Sequence, residues 1–169
     1  MKQKQTSQRE FLINIALDTI NILQTTQKYT VNNNQIDISE QIEDCVEGTI
    51  IYQPGASFDS RIHPLEKKRR GHIDLKDETT LHAAIRLAKD LKIPQDEIVV
   101  LNFASARNPG GGYDTGANTQ EESIARQTSL ISSITQERAR EMYDYNRKEK
   151  SLLYSDYMIY TPSAVIFRD

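Results

Sequence analysis

Between Phe11 and Leu23 the apolar residues Leu12, Ile15, Ala16, Ile20 and Leu23 recur at helical spacing. This predicts an amphipathic helix ending near Thr25, with its stripe packed on a sheet. Residues 29–38 are rich in Asn and Thr and alternate weakly, whereas residues 48–52 read as a short strand closed by Pro54 and Gly55. A stronger stripe, Leu81, Ala84, Ile85, Ala88 and Leu91, follows a plausible N-cap at Asp77 or Thr79. Directly after it, residues 97–104 are nearly continuous in apolar side chains. The absence of alternation predicts a strand buried on both faces, as in a parallel sheet covered by helices. Two further helices are expected, from Gln120 to about Ile131 and from about Ile134 to Lys148, the latter with Ser133 and Gln136 at capping-box spacing. One or two short strands fit residues 155–166. Helix, buried strand, glycine-rich loop and helix, in that order, predict an α/β sandwich.

At 169 residues the chain has room for one domain. Hydrophobic residues make up 37%, which implies a modest core, and a net charge of -3 supplies no global positive field for a nucleic-acid backbone or an anionic membrane. An anionic ligand must therefore be held locally. The basic run Lys67, Lys68, Arg69 and Arg70 lies in an aperiodic stretch, residues 57–74, that reads as an exposed loop whose charges form a solvated face or, alternatively, an anion contact. A single cysteine, Cys45, has no disulfide or CxxC partner. With no secretory or membrane-spanning pattern near the N-terminus, the expectation is a soluble, cytoplasmic protein. His63, His72 and His82 lack paired-ligand spacing, so neither a metal nor a cofactor is expected.

The chemistry concentrates in Asn102-Phe-Ala-Ser-Ala-Arg-Asn-Pro-Gly-Gly-Gly112, then Tyr113 to Thr119, then Gln120-Glu121-Glu122. A loop beyond a sheet strand and before a helix is where open α/β folds bind ligands. Gly110, Gly111 and Gly112 lack Cβ atoms, so backbone N–H groups there can form an anion nest suited to a diphosphate. Two common phosphate loops are excluded. Gly111 and Gly116 have the P-loop offset, but Ala117 and Asn118 stand where Lys and Ser/Thr are required; a dinucleotide fingerprint starting at Gly110 fails at Thr115. Paired carboxylates beside a phosphate site suit glycoside cleavage. Equally, Thr119 and Glu122 fit the capping box T-x-x-E, in which the glutamate only returns to the N-cap amide. Tyr113 is placed either to stack on a substrate or to sit exposed in the loop.

Triple glycine, a seven-residue gap and QEE resembles the signature of the poly(ADP-ribose) glycohydrolases. NFASARNPGGG, QEESIAR, TTLHAA at residues 79–84, YSDYMIYTP at 154–162 and VIFRD at 165–169 resemble the microbial-type branch. The resemblance implies a macrodomain-like three-layer α/β/α sandwich with a mixed sheet, spanning residues 1–169 as a single domain. It further implies metal-independent hydrolysis of ADP-ribose linkages, in poly(ADP-ribose) or on ADP-ribosylated protein. Carried over, Gly110, Gly111 and Gly112 cradle the diphosphate, and Asn102 and Asn108 shape or bind the distal-ribose site. Gln120 and Glu121 orient the substrate, and Glu122 is the acid/base. Members of the family continue beyond the point matching Asp169, so the expectation is the N-terminal part of such a domain, incomplete at its C-terminus, with another chain as a candidate to complete the sheet. Three readings stand at this level: a glycohydrolase, a non-catalytic ADP-ribose-binding module, and an inactive fragment.

Overall fold

A computed structural model describes residues 7–57, 71–149 and 152–168. His63 and the basic run at residues 67–70 lie outside the described residues. Helix α1 (Gln8–Asn21) opens with a capping box, in which the Ser7 hydroxyl accepts from Glu10 N–H and the Glu10 carboxylate accepts from Ser7 N–H. It continues into a π-helical turn, Ile22–Thr26, which stops at Gln27 with φ of 50°. Of the predicted stripe Ala16 and Leu23 are buried and Leu12, Ile15 and Ile20 half-buried. Ile22, outside it, is buried too, and the length packs against a later helix (Gln120–Gln127) rather than the expected sheet.

The Asn-rich stretch is a hairpin of β1 (Lys28–Val31) and β2 (Asn34–Asp37). Its two turn residues, Asn32 and Asn33, have φ of 49° and 64°. Two consecutive positive-φ positions match the strand twist, and asparagine tolerates them better than most side chains. Helix α2 (Ser39–Glu47) has no counterpart among the elements the pattern predicts; it buries Ile42 and Cys45 and packs against a later short helix, Leu130–Ile134. Strand β3 (Ile50–Tyr52) pairs antiparallel with β4 (Met158–Tyr160), with Ile51 opposite Ile159. Helix α3 (Thr80–Lys89) starts at Thr79, whose hydroxyl accepts from His82 N–H at 3.2 Å.

The expected helix over residues 120–131 is two helices, α4 (Gln120–Gln127) and α5 (Leu130–Ile134). Tertiary pairing causes the break. Ser129 N–H donates to Val165 O, Val165 N–H to Ser129 Oγ, and Phe167 N–H to Gln127 O, so these groups serve a crossing segment rather than the helix ladder. The expected cap at Ser133 also fails, because its hydroxyl donates to Cys45 O at 3.1 Å; α6 begins later, at Arg140, and runs to Lys148. The main core joins Ile22, Leu23, Ile38, Ile42, Ala125, Ile131 and Ile134, where the π-helical turn, α2, α4 and α5 meet.

Residues 97–104 correct the sequence reading most clearly. After a short 3-10 turn (Gln95–Glu97) they belong to no described strand, and Val99, Leu101 and Phe103 are 80%, 69% and 73% exposed. Burial on both faces requires a strand at each side and helices above and below, and among the described residues no strand pairs with this run. The described strands form two separate antiparallel pairs. Among the described residues no helix is long and apolar enough to cross a membrane.

Candidate active site

The start of α4 organises the loop before it through three consecutive side chains. The Gln120 amide behaves like a strand partner: its Oε1 accepts from Phe103 N–H at 2.7 Å and its Nε2 donates to Leu101 O at 2.8 Å and Thr80 Oγ1 at 3.1 Å. Glu121 accepts from Ser105 N–H at 2.7 Å and Gly110 N–H at 3.1 Å. Glu122 accepts through Oε1 from Gly112 N–H at 3.0 Å and through Oε2 from Thr119 N–H at 3.0 Å, with the Thr119 hydroxyl on the same oxygen. Both glutamates are buried, at 3% and 7% exposure. The capping box predicted for Thr119 and Glu122 is therefore formed, and the same carboxylate also grips the glycine run.

The glycine N–H groups form an anion nest, and the anions they meet are the protein's own. Gly110 N–H goes to Glu121, Gly112 N–H to Glu122, and Gly111 N–H to Asn108 O. Gly110 and Gly111 have φ of 73° and 60°, where a Cβ is strained. A Cβ on Gly111 would stand 2.3 Å from Glu122 Oε1 and 3.2 Å from Glu121 Oε2. The requirement for glycine thus arises from the carboxylates packed against the turn, which glycine spacing alone does not reveal.

The environments push the two carboxyls apart. Burial raises Glu121 and the neighbouring Glu122 charge adds to this, outweighing the N–H groups of Ser105 and Gly110. Burial also pushes Glu122 upward, but the hydrogen bonds from Gly112, the Thr119 hydroxyl and the helix-start amides together bring it below the ordinary carboxylate range. Glu122 rests as an anion that the surrounding donors stabilise.

The remaining expected residues fall unevenly. Asn102 is half-buried beside Glu121 and helps hold that carboxylate as an anion, while its own Oδ1 is buried without a hydrogen-bond partner. Asn108 is exposed and acts through its backbone, donating to Ser105 Oγ at 3.1 Å. Tyr113 is half-buried rather than exposed. The turn Tyr113 N–H to Gly110 O folds it back, and its ring packs against the main core. Four contributors escaped the sequence reading: Ser105, whose N–H and hydroxyl shape the loop; Arg107, whose guanidinium stands 5.2 Å over the Tyr154 ring; Arg126; and buried Tyr143, which lies close enough to Glu121 to feel its charge. Only Arg126 carried a usable signal, being four residues after Glu122 on the same helix face.

Two shallow cavities flank these groups. One, of about 320 Å³, lies between the starts of α3 and α4 beside Thr79, Thr80, Asn118 and Ser123; the other, of about 460 Å³, lies behind Pro109 against Arg140, Tyr143 and Arg147. Among the described residues no group of three or more His, Cys, Asp or Glu is arranged to hold a metal ion, and His72 and His82 are exposed.

Among curated proteins there is no match to the chain. Solved structures do match. The poly(ADP-ribose) glycohydrolase of Thermomonospora curvata is 34% identical, with a TM-score of 0.79 over 95% of this chain and 58% of its own. The structure of that enzyme bound to the inhibitor ADP-HPD is similar at 33% identity and a TM-score of 0.78, again over 95% of this chain and 56% of its own. The Deinococcus radiodurans enzyme in complex with ADP-ribose is 34% identical, with a TM-score of 0.57 over 76% of this chain and 50% of its own. The chain therefore spans about half the length of these proteins, and its fold is of their macrodomain-like α/β class. The model of the microbial-type PARG catalytic domain matches residues 16–169. With a shared fold, a third of the sequence in common and a family match over nearly the whole chain, this protein belongs to the microbial-type poly(ADP-ribose) glycohydrolase catalytic-domain family.

Proposed function

We propose that this chain carries the acid/base machinery for hydrolysing the glycosidic bond of ADP-ribose units, in poly(ADP-ribose) or on ADP-ribosylated protein. The observation that carries the reading is the pair Glu121 and Glu122, buried side by side at the start of α4 and each held by a different N–H of the glycine run. Relatives crystallised with ADP-HPD and with ADP-ribose support ADP-ribose as the ligand class.

In this mechanism Glu122 gives its proton to the departing oxygen while the bond to the anomeric carbon of the distal ribose breaks and an oxocarbenium ion develops. The resulting carboxylate then takes a proton from water, whose oxygen forms the new bond to that carbon. ADP-ribose and the acceptor's hydroxyl leave, and Glu122 is protonated again. The resting anion must first be protonated. Glu121 and an arriving diphosphate both oppose ionisation of Glu122, so an anionic substrate drives it toward the acid form. Glu121 orients the substrate, and the Cβ-free turn of Gly110, Gly111 and Gly112 lets it approach closely. Gln120 fixes the loop that bears Asn102, and Asn108 flanks the distal ribose. Tyr113 supports the turn from the core side.

A purely ADP-ribose-binding role draws on one observation, the dense set of donors that holds Glu122 as an anion. Glu122→Gln separates the two readings. It is expected to fold and to bind ADP-ribose by calorimetry, yet to release ADP-ribose about 10²–10⁴-fold more slowly than the parent. Turnover equal to the parent's would overturn the acid/base assignment, and a parent chain that gives no heat with ADP-ribose would overturn the ligand.

A further inference from the structure

Arg126 is 3% exposed in the last turn of α4, and the partners of its guanidinium are neutral. Nη1 donates to Tyr113 O at 3.2 Å and to Ala117 O at 2.7 Å, and Nη2 donates to Asn118 Oδ1 at 2.7 Å. All three acceptors belong to the loop that separates the glycine run from Gln120. The two ends of that loop, Gly112 N–H and Thr119 N–H, are the backbone donors to Glu122. The carboxylate whose charge Arg126 feels is Glu122 itself, one helical turn earlier and not in contact with it. Burying a guanidinium costs several kcal/mol unless its surroundings compensate. A neutral side chain of similar length could fill the same space, so a charge retained here calls for a further role.

We infer that Arg126 is the positioning residue for Glu122: its fork fixes the loop that delivers both backbone donors, and its charge keeps the carboxylate anionic between proton transfers. The backbone of Arg126 is itself anchored, since its carbonyl accepts from Thr19 Oγ1 at 2.6 Å and from Arg168 Nη1 at 2.8 Å. The device is thus tied to α1 and to the crossing C-terminal segment rather than to the loop alone.

The charged and titratable groups around Glu122 are few. Glu121 stands beside it, Arg126 is one turn on, and Asp114 lies in the loop. Arg9 of α1 donates to Thr115 O, and Asp18 pairs with Arg168 at the far end of α4. Tyr143 of α6 lies by Glu121, α3 brings the Glu78–Arg86 pair, and α5 has none. Of these cations, Arg126 is the one on which the Glu122 charge acts, and no carboxylate is bound to it, whereas Arg86 and Arg168 are paired with Glu78 and Asp18.

The inference rests on reading Glu122 as the acid/base, but its test does not need turnover. The titration of the Glu122 carboxyl is followed by carbon NMR, and amide exchange over residues 110–119 by mass spectrometry, in the parent, Arg126→Gln, Arg126→Lys and Asn118→Ala. Arg126→Gln is expected to move the Glu122 midpoint up by roughly one pH unit, since a nearby opposite charge has been removed. Arg126→Lys should move it less while, like Arg126→Gln, speeding loop exchange at least about tenfold, because a point charge lacks the planar fork. Asn118→Ala should speed exchange without moving the midpoint. If Arg126→Gln fails to fold, Arg126→Lys and the exposed Asn118→Ala still decide the loop arm, and an Arg126→Lys midpoint identical to the parent's with unchanged exchange would refute the inference. An unmoved midpoint in a folded Arg126→Gln would do the same. A parent chain without ADP-ribose binding or hydrolysis would count against the proposed function alone, leaving titration and exchange to judge Arg126.

Discussion

Replacing Gly111 by alanine adds one methyl group where the structure has no room for it. The backbone there has φ of 60°, and an L-residue in that region costs about 1–2 kcal/mol. The new Cβ would lie 2.3 Å from Glu122 Oε1 and 3.0 Å from its carboxyl carbon, so the carboxylate must move. Movement breaks the 3.0 Å bond from Gly112 N–H, a hydrogen bond to a charged group worth about 1.5–3 kcal/mol. Gly111→Ala is therefore expected to destabilise the fold by about 2.5–5 kcal/mol, measured by urea denaturation with circular dichroism. The same substitution made with Glu122→Ala isolates the two contributions: with the carboxylate gone, only the backbone part of about 1–2 kcal/mol remains. A single-variant loss below about 1 kcal/mol, or equal losses with and without Glu122, would refute the claim that the glycine exists to seat the carboxylate.

Two other expectations follow from the site. Glu122 is held below the ordinary carboxylate range, so its hydrogen bonds stabilise the fold above the unfolded-state value, and that advantage is lost as pH falls through the lower folded value. Glu121 has the opposite sign: raised in the fold, it opposes folding near neutrality and is relieved as pH falls. The stability difference between parent and Glu122→Gln should consequently be largest near about pH 7 and shrink toward about pH 3; a difference independent of pH would show that the Glu122 charge contributes nothing. Gln120→Leu removes all three bonds that tether residues 101–103 and Thr80, each worth about 0.5–1.5 kcal/mol, and amide exchange at Phe103 should rise at least about tenfold. Unchanged exchange there would mean that the run is held by something other than the glutamine.

Local regularities settled a good part of this molecule. The stripe of α1, the N-cap and stripe of α3, and the T-x-x-E box at the start of α4 are interactions among residues within a few positions of one another, so spacing alone carries them. The pairing of a glycine run with two glutamates was legible for the same reason. What spacing could not carry depends on residues distant in the chain. Helix α4 stops at Gln127 because residues 165–167 take its hydrogen bonds, and Ser133 does not cap a helix because Cys45 O, 88 positions away, receives its hydroxyl. Residues 97–104 have the composition of a doubly covered strand, but composition states only what a segment can bury, and the neighbours that would bury it must come from elsewhere in space. The glycines look like a phosphate nest in sequence; only the folded loop turns their N–H groups onto Glu121 and Glu122, because the anion nearest to a nest is decided by the helix that packs behind it.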